Sequence, residues 1–148
     1  MKCLVYLWIN YLFSKVYSLN QLSFSGGGSY GAVEIGILKY LIKNNPNLIH
    51  DKPFHLYTGI SAGALNAGVL SYYTDINEGI KKAEDIYSSI KTRMIYKPFP
   101  TGLSLVNTKP LFNTLTSLVN TMPGQPVIPT LVGATNLYSG KMDVYSFE

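Results

Sequence analysis

Two glycine-framed segments carry the residue types that acyl transfer needs. The first is Gly59-Ile60-Ser61-Ala62-Gly63, in which a serine stands between two glycines. A serine on a sharp strand-to-helix turn has its hydroxyl clear of the sheet, and flanking glycines leave room for the strained backbone that puts it there. The helix that follows points its N-terminus at the charge that develops on an attacked carbonyl. Taken alone, the pattern also fits a tight turn whose serine merely caps a helix. The second segment, Gly26-Gly27-Gly28-Ser29-Tyr30-Gly31, decides between them. An oxyanion is held by backbone N–H groups that approach it closely, and glycine permits that approach. Gly26, Gly27 and Gly28 are the expected donors, with the amide of Ala62, next after the serine, completing the hole.

Gly26-x-Gly28-x-x-Gly31 also matches the dinucleotide-binding fingerprint, and Asp51 lies near the distance at which a ribose-binding acid is expected. That acid should end the second strand, whereas Asp51 stands between His50 and Lys52-Pro53, ahead of it. The cofactor reading is therefore the weaker alternative. A serine also needs a base. In α/β-hydrolases the order is Ser…Asp…His, but His50 and His55, the only histidines, both precede Ser61. On that order a Ser-His-Asp triad within the chain is not expected, which leaves a serine paired directly with a carboxylate. With two histidines and the single Cys3, no metal site is expected and no internal disulfide can form.

These residues require elements to hold them. Leu19 to Ser25 alternates as a strand, with Leu22 and Phe24 on one face. Ala32 to Lys43 reads as a helix with Ile35, Leu38 and Ile42 on one stripe and Val33, Ile37 and Leu41 beside it. So wide an apolar surface predicts cover on most sides. Phe54 to Thr58 reads as a second buried strand, and Ala62 to about Tyr72 as a small-residue helix. Asp75 and Glu78 form an expected capping box for a third helix with Ile76, Ile80, Ala83, Tyr87 and Ile90 as its stripe. Met94 to Thr108 reads as irregular, and Thr108 is the expected cap of a fourth helix. Thr130 to Thr135 and Met142 to Phe147 read as strands joined through Ser139-Gly140. Strands alternating with helices predict a three-layer α/β fold around a mostly parallel sheet.

A Gly-Gly-Gly-x-x-Gly loop, a helix and then Gly-x-Ser-x-Gly-Ala resembles the opening half of the patatin-like phospholipases. The likeness runs from about Leu19 to Phe147, with Ala134-Thr135-Asn136-Leu137 and Ser139-Gly140-Lys141 similar to a strand and turn of that family. It implies a Ser–Asp dyad on an α/β sheet, cleavage of acyl esters of phospholipids and neutral lipids, Ser61 as nucleophile and the Gly26 to Gly28 backbone as oxyanion hole. Gly31, Gly59 and Gly63 complete the motifs, and no metal or organic cofactor is implied. Two features depart from the family pattern. Tyr30 stands where many members carry Arg or Lys. The family's dyad Asp lies in a downstream Asp-Gly motif, but Asp51, Asp75, Asp85 and Asp143 are followed by Lys, Ile, Ile and Val. The expectation is a dyad Asp outside this chain, which would leave the chain catalytically incomplete. The alternative is a non-catalytic lipid-binding or interaction protein of the same fold.

Composition is consistent with a packed domain: 47% of the 148 residues are hydrophobic and 14% charged, which argues against disorder. The net charge of +4 includes no dense basic run, so it reads as a solvated excess of lysine and not as a nucleic-acid surface. The expected partners are a lipid or acyl ester and a membrane surface. The domain proper is expected over residues 19–148, preceded by residues 1–18. There Lys2 leads an apolar run from Cys3 to Phe13, broken by Asn10, with Val16-Tyr17-Ser18 as a candidate cleavage site. A signal peptide, an extra strand and an interfacial anchor are the alternatives. The first would make the protein secreted or membrane-associated; otherwise a cytoplasmic location is expected. The strand still running at Phe147 leads us to expect an edge normally covered by further structure, and poor solubility of these 148 residues alone.

Overall fold

A computed structural model describes residues 20–47, 54–98 and 106–147. The N-terminal apolar run, His50 and Asp51 lie outside them. The chain runs β1 (Gln21–Phe24), a 3-10 turn (Gly28–Tyr30), α1 (Gly31–Asn44), β2 (Leu56–Ile60), α2 (Ala62–Leu70) and α3 (Ile76–Ser89). It continues with α4 (Thr92–Ile95), β3 (Lys97–Pro98), β4 (Val106–Asn107), α5 (Lys109–Val119), β5 (Thr130–Thr135) and β6 (Met142–Phe147). This is a mixed α/β fold, with a mostly parallel sheet flanked by helices. Its main sheet has the order β1-β2-β5-β6. β1 pairs with β2 and β2 with β5 in parallel, and β6 returns antiparallel to β5. The two parallel links need crossovers, and α1 supplies the first, between β1 and β2.

The sheet's two faces differ, because successive strand residues point to opposite sides. Phe24, Tyr57 and Thr130 fall on one side and are buried. Gly59 shares that side, and its α-carbon faces the backbone of Gly63 in α2. The other side carries Gln21, Ser23 and Thr58 in a chain of hydrogen bonds (Gln21 Nε2 to Thr58 Oγ1 3.1 Å, Thr58 Oγ1 to Ser23 Oγ 2.8 Å). Ile60 and Met142 follow on the same side, both in contact range of Gly133. The core lies between the first face and the helices: Ile35, Leu38 and Ile42 of α1, Ala67, Val69 and Leu70 of α2, and Ile76, Ile80, Ala83 and Ile86 of α3. Burying that much aliphatic surface is the main favourable term in such a fold. Among the described residues no buried side-chain nitrogen or oxygen lacks a hydrogen-bond partner.

Several local expectations need correction. The wide apolar face of α1 is covered along a single stripe. Val33 and Ile37 remain 53% and 54% exposed because no described element packs over them. β2 starts two residues later than expected and runs on to Ile60, since its register with β5 extends to Gly133. Asp75 caps α3 through the Asn77 amide (2.9 Å) and not the Glu78 amide, so the reciprocal capping box is not formed. The Thr108 side chain makes no capping bond to α5; Asn107 Oδ1 accepts from the Lys109 amide instead (2.8 Å). Within the stretch expected to be irregular, the chain forms the single turn α4 and a two-residue antiparallel ladder, β3 with β4. The β5–β6 hairpin has the bounds read from the sequence.

Candidate active site

Ser61 sits between the end of β2 and the start of α2, as the N-cap residue of the helix. Its backbone adopts φ 56° and ψ −122°, the one positive φ at a non-glycine residue among those described. Such a conformation costs on the order of 1–3 kcal/mol and persists where its surroundings over-determine it. The surroundings here are glycines. A Cβ on Gly59 would run into the Gly63 carbonyl, and one on Gly63 would stand 2.5 Å from the carbonyl oxygens of both Phe24 and Ser25. The turn therefore closes only with glycine at both positions, and Gly63 presses the start of α2 onto the end of β1. The Ser61 carbonyl accepts the amides of Ala64 (3.0 Å) and Leu65 (3.3 Å). Its side chain makes no capping bond, and the residue is exposed. The hydroxyl is thus not spent on holding the helix.

The glycine loop lies beside it. An ideal Cβ on Gly26 would be 3.4 Å from Ser61 Cβ. Gly27 and Gly28 continue along an exposed path, with Gly28 at φ +58°. Gly31 closes the loop against α2: a Cβ there would meet the Tyr87 hydroxyl and come within 3.0 Å of Ala62 Cβ. Among the described residues, none accepts a hydrogen bond from the amides of Gly26, Gly27, Gly28 or Ala62. These four backbone donors are thus unspent, and of the loop glycines Gly26 is the one packed against Ser61.

A polar network beneath the loop was not read from the sequence. Glu34 of α1 accepts from the Ser25 amide (2.8 Å) and the Ser25 hydroxyl (2.7 Å), which anchors the first residue after β1. Asn66, fully buried in α2, donates to Glu34 Oε2 (3.1 Å) and to the Gly31 carbonyl (3.0 Å), and accepts from the Tyr87 hydroxyl (2.8 Å). Ser25, Gly31, Glu34, Asn66 and Tyr87 thereby lock the glycine loop to the helix that follows Ser61. Burial and the Glu34 charge push the Tyr87 phenol up, against a smaller downward pull from the Asn66 bond, so it stays a neutral donor. The available signal was Asn66 itself, a lone amide in the otherwise small and apolar Ala62–Leu70 segment.

No carboxylate among the described residues is hydrogen-bonded to Ser61. Asp143 is held by Asn136 Nδ2 (2.9 Å) on β6, and Glu34 is occupied as above. His55, just ahead of β2, accepts from the Asn20 amide through Nδ1 (3.2 Å) and has a structural place. The described residues contain no cluster of three or more metal-ligating side chains. A shallow apolar groove of about 200 Å³ runs between β1 and α1, lined by Leu22, Phe24, Ile37, Leu38 and Leu41 among others, and Ser61 is not part of it.

Compared with curated proteins and with solved structures, the chain has no match. The profile of the patatin-like phospholipases, a family of lipid acyl hydrolases, matches residues 22 to 136, from within β1 to just past β5. The chain belongs to the patatin-like phospholipase family.

Proposed function

We propose that Ser61 is the nucleophile of a lipid acyl hydrolase of the phospholipase A or esterase type. The observation that carries the reading is a strained, uncapped, exposed serine with Gly26 packed against it and the amides of both glycine segments unspent. Ser61 Oγ attacks the ester carbonyl, a C–O bond forms, and the hydroxyl proton passes to a carboxylate base. In this proposal the carbonyl oxygen becomes an oxyanion that takes hydrogen bonds from the Gly26, Gly27, Gly28 and Ala62 amides. Collapse expels the alcohol and leaves an acyl-enzyme, which water then hydrolyses. Gly31, Gly59 and Gly63 act by letting the two turns approach. No step calls for a metal or an organic cofactor.

General-base assistance is typically worth about 10²–10⁴-fold in rate, and an oxyanion hole alone retains part of the catalysis. The absence of a carboxylate bonded to Ser61 among the described residues supports one second reading, a lipid-binding protein that keeps the fold without turnover. A fluorophosphonate reagent followed by peptide mass analysis separates the two. Covalent modification at Ser61, lost in Ser61→Ala, supports the nucleophile. An unmodified Ser61 in folded protein, with lipid binding retained, supports the second reading.

A further inference from the structure

β1, β2 and β5 are parallel, so their carboxyl ends share one edge of the sheet. The glycine loop leaves β1 there, Ser61 leaves β2 there, and the turn from Asn136 to Lys141 leaves β5 there. The three most exposed large apolar side chains of the described residues gather at this same edge. Leu137 is 93% and Tyr138 fully exposed on the turn, and Tyr30 is 73% exposed beside the glycine loop. Ile60, immediately before Ser61, is half exposed.

The turn is ordered although its apolar side chains touch little. Asn136 Oδ1 accepts from the amides of Tyr138 (2.9 Å) and Ser139 (3.1 Å), and its Nδ2 reaches Asp143. The Asn136 backbone pairs with Gly140 and Lys141 (2.9 and 2.8 Å), and Gly140 takes φ +66°. Polar bonds thus hold a leucine and a tyrosine out into solvent. Exposed apolar groups displayed in this way mark an interaction surface.

We propose that this edge docks on a lipid–water interface, with Leu137 and Tyr138 entering the head-group boundary and Tyr30 seated beside them. The proposal rests on the reading of Ser61 as a lipid-cleaving nucleophile and names how that site meets its substrate. Three observations select lipid over protein as the occupant. The turn lies at the same edge of the sheet as Ser61, after the strand paired with β2. Its tip offers a leucine and an amphipathic tyrosine, the pair suited to a boundary that is apolar below and wet above. Its charge is complementary to an anionic interface: Lys141 is exposed at the turn, the one carboxylate there, Asp143, is engaged by Asn136, and the chain carries +4 overall. Two projecting side chains also make a smaller contact than a stable protein interface requires.

The test is co-sedimentation of the full chain with phosphatidylcholine vesicles, with and without phosphatidylserine, for the native protein and for Leu137→Asp/Tyr138→Asp. The expected result is binding that phosphatidylserine strengthens and that falls on the order of tenfold or more in the double variant. Circular dichroism, thermal unfolding and fluorophosphonate modification of Ser61 should be unchanged in that variant. A second readout is an environment-sensitive dye at Tyr138→Cys in a Cys3→Ser background, which should shift to the blue on vesicles. Equal binding by native and double-variant protein overturns the proposal. So does a native protein modified at Ser61 but indifferent to vesicles, which leaves the hydrolase reading standing. Tip-dependent binding without Ser61 modification supports the docking surface and sinks the hydrolase reading. Tip-dependent self-association without vesicle binding overturns the proposal in favour of a second copy.

Discussion

Ser61 concentrates the tension between stability and reactivity in one residue. A β-carbon at φ 56° and ψ −122° is held in place by glycines that cannot themselves be changed without collision. Ser61→Gly should therefore raise stability by about 1 kcal/mol, because glycine enters this region freely. Ser61→Ala, which keeps the β-carbon, should leave stability nearly unchanged. Both should abolish fluorophosphonate modification, so thermal unfolding of the pair separates strain from chemistry. The position of Ser61 between strand and helix was legible from spacing, since Gly59 and Gly63 mark a turn that only small residues can close. The support beneath it was not. Glu34 and Asn66 meet across two helices, and nothing in the local spacing of either residue announces that meeting.

At the scale of elements, hydrophobic periodicity located α1, α2, α3, α5 and the β5–β6 hairpin well and located the helix ends less well. The ends are decided by single hydrogen bonds, and several side chains compete for each. Asn107 and Thr108 are both acceptable caps for α5, yet Asn107 makes the bond to the Lys109 amide. Asn107→Ala should cost about 1 kcal/mol, a fall of roughly 3 °C in Tm, whereas Thr108→Ala should leave Tm within error. A matching loss in Thr108→Ala would return the cap to the threonine. The apolar face of α1 failed as a guide for a different reason. Periodicity reports how many apolar residues a helix presents, and only tertiary neighbours determine how many are covered.

For the molecule as a whole, the sheet's buried centre sets a response to alkali. Tyr57 lies almost fully buried in β2, and burial pushes its phenol from 10.0 up to about 12. The folded state therefore holds that proton more tightly than the unfolded chain. The associated stability is complete below pH 10 and is lost as the pH rises from 10 towards 12, by about 2 kcal/mol. Tyr57→Phe keeps the ring and removes the titrating group, so its unfolding free energy should decline less steeply over that window. Denaturant melts of both proteins at pH 9, 10 and 11 check the sign. Identical slopes would mean that Tyr57 ionises in the folded state as it does in the unfolded one.

The order of pairing in the sheet also has a consequence in time. β1 pairs with β2 across a connection that holds α1, and Ser61 and α2 follow β2 directly, so both glycine segments come from one short stretch of chain. β5 pairs with β2 across a connection that holds α2, α3, α4, β3, β4 and α5, and closing so long a loop costs entropy before any contact returns it. The turn that carries Ser61 can therefore form early, against β1 and α1, while the hairpin bearing Leu137 and Tyr138 arrives last. During refolding with pulsed amide exchange, protection in β1, α1, β2 and α2 should precede protection in β5 and β6. The serine would be in place before the edge that presents it to substrate is built.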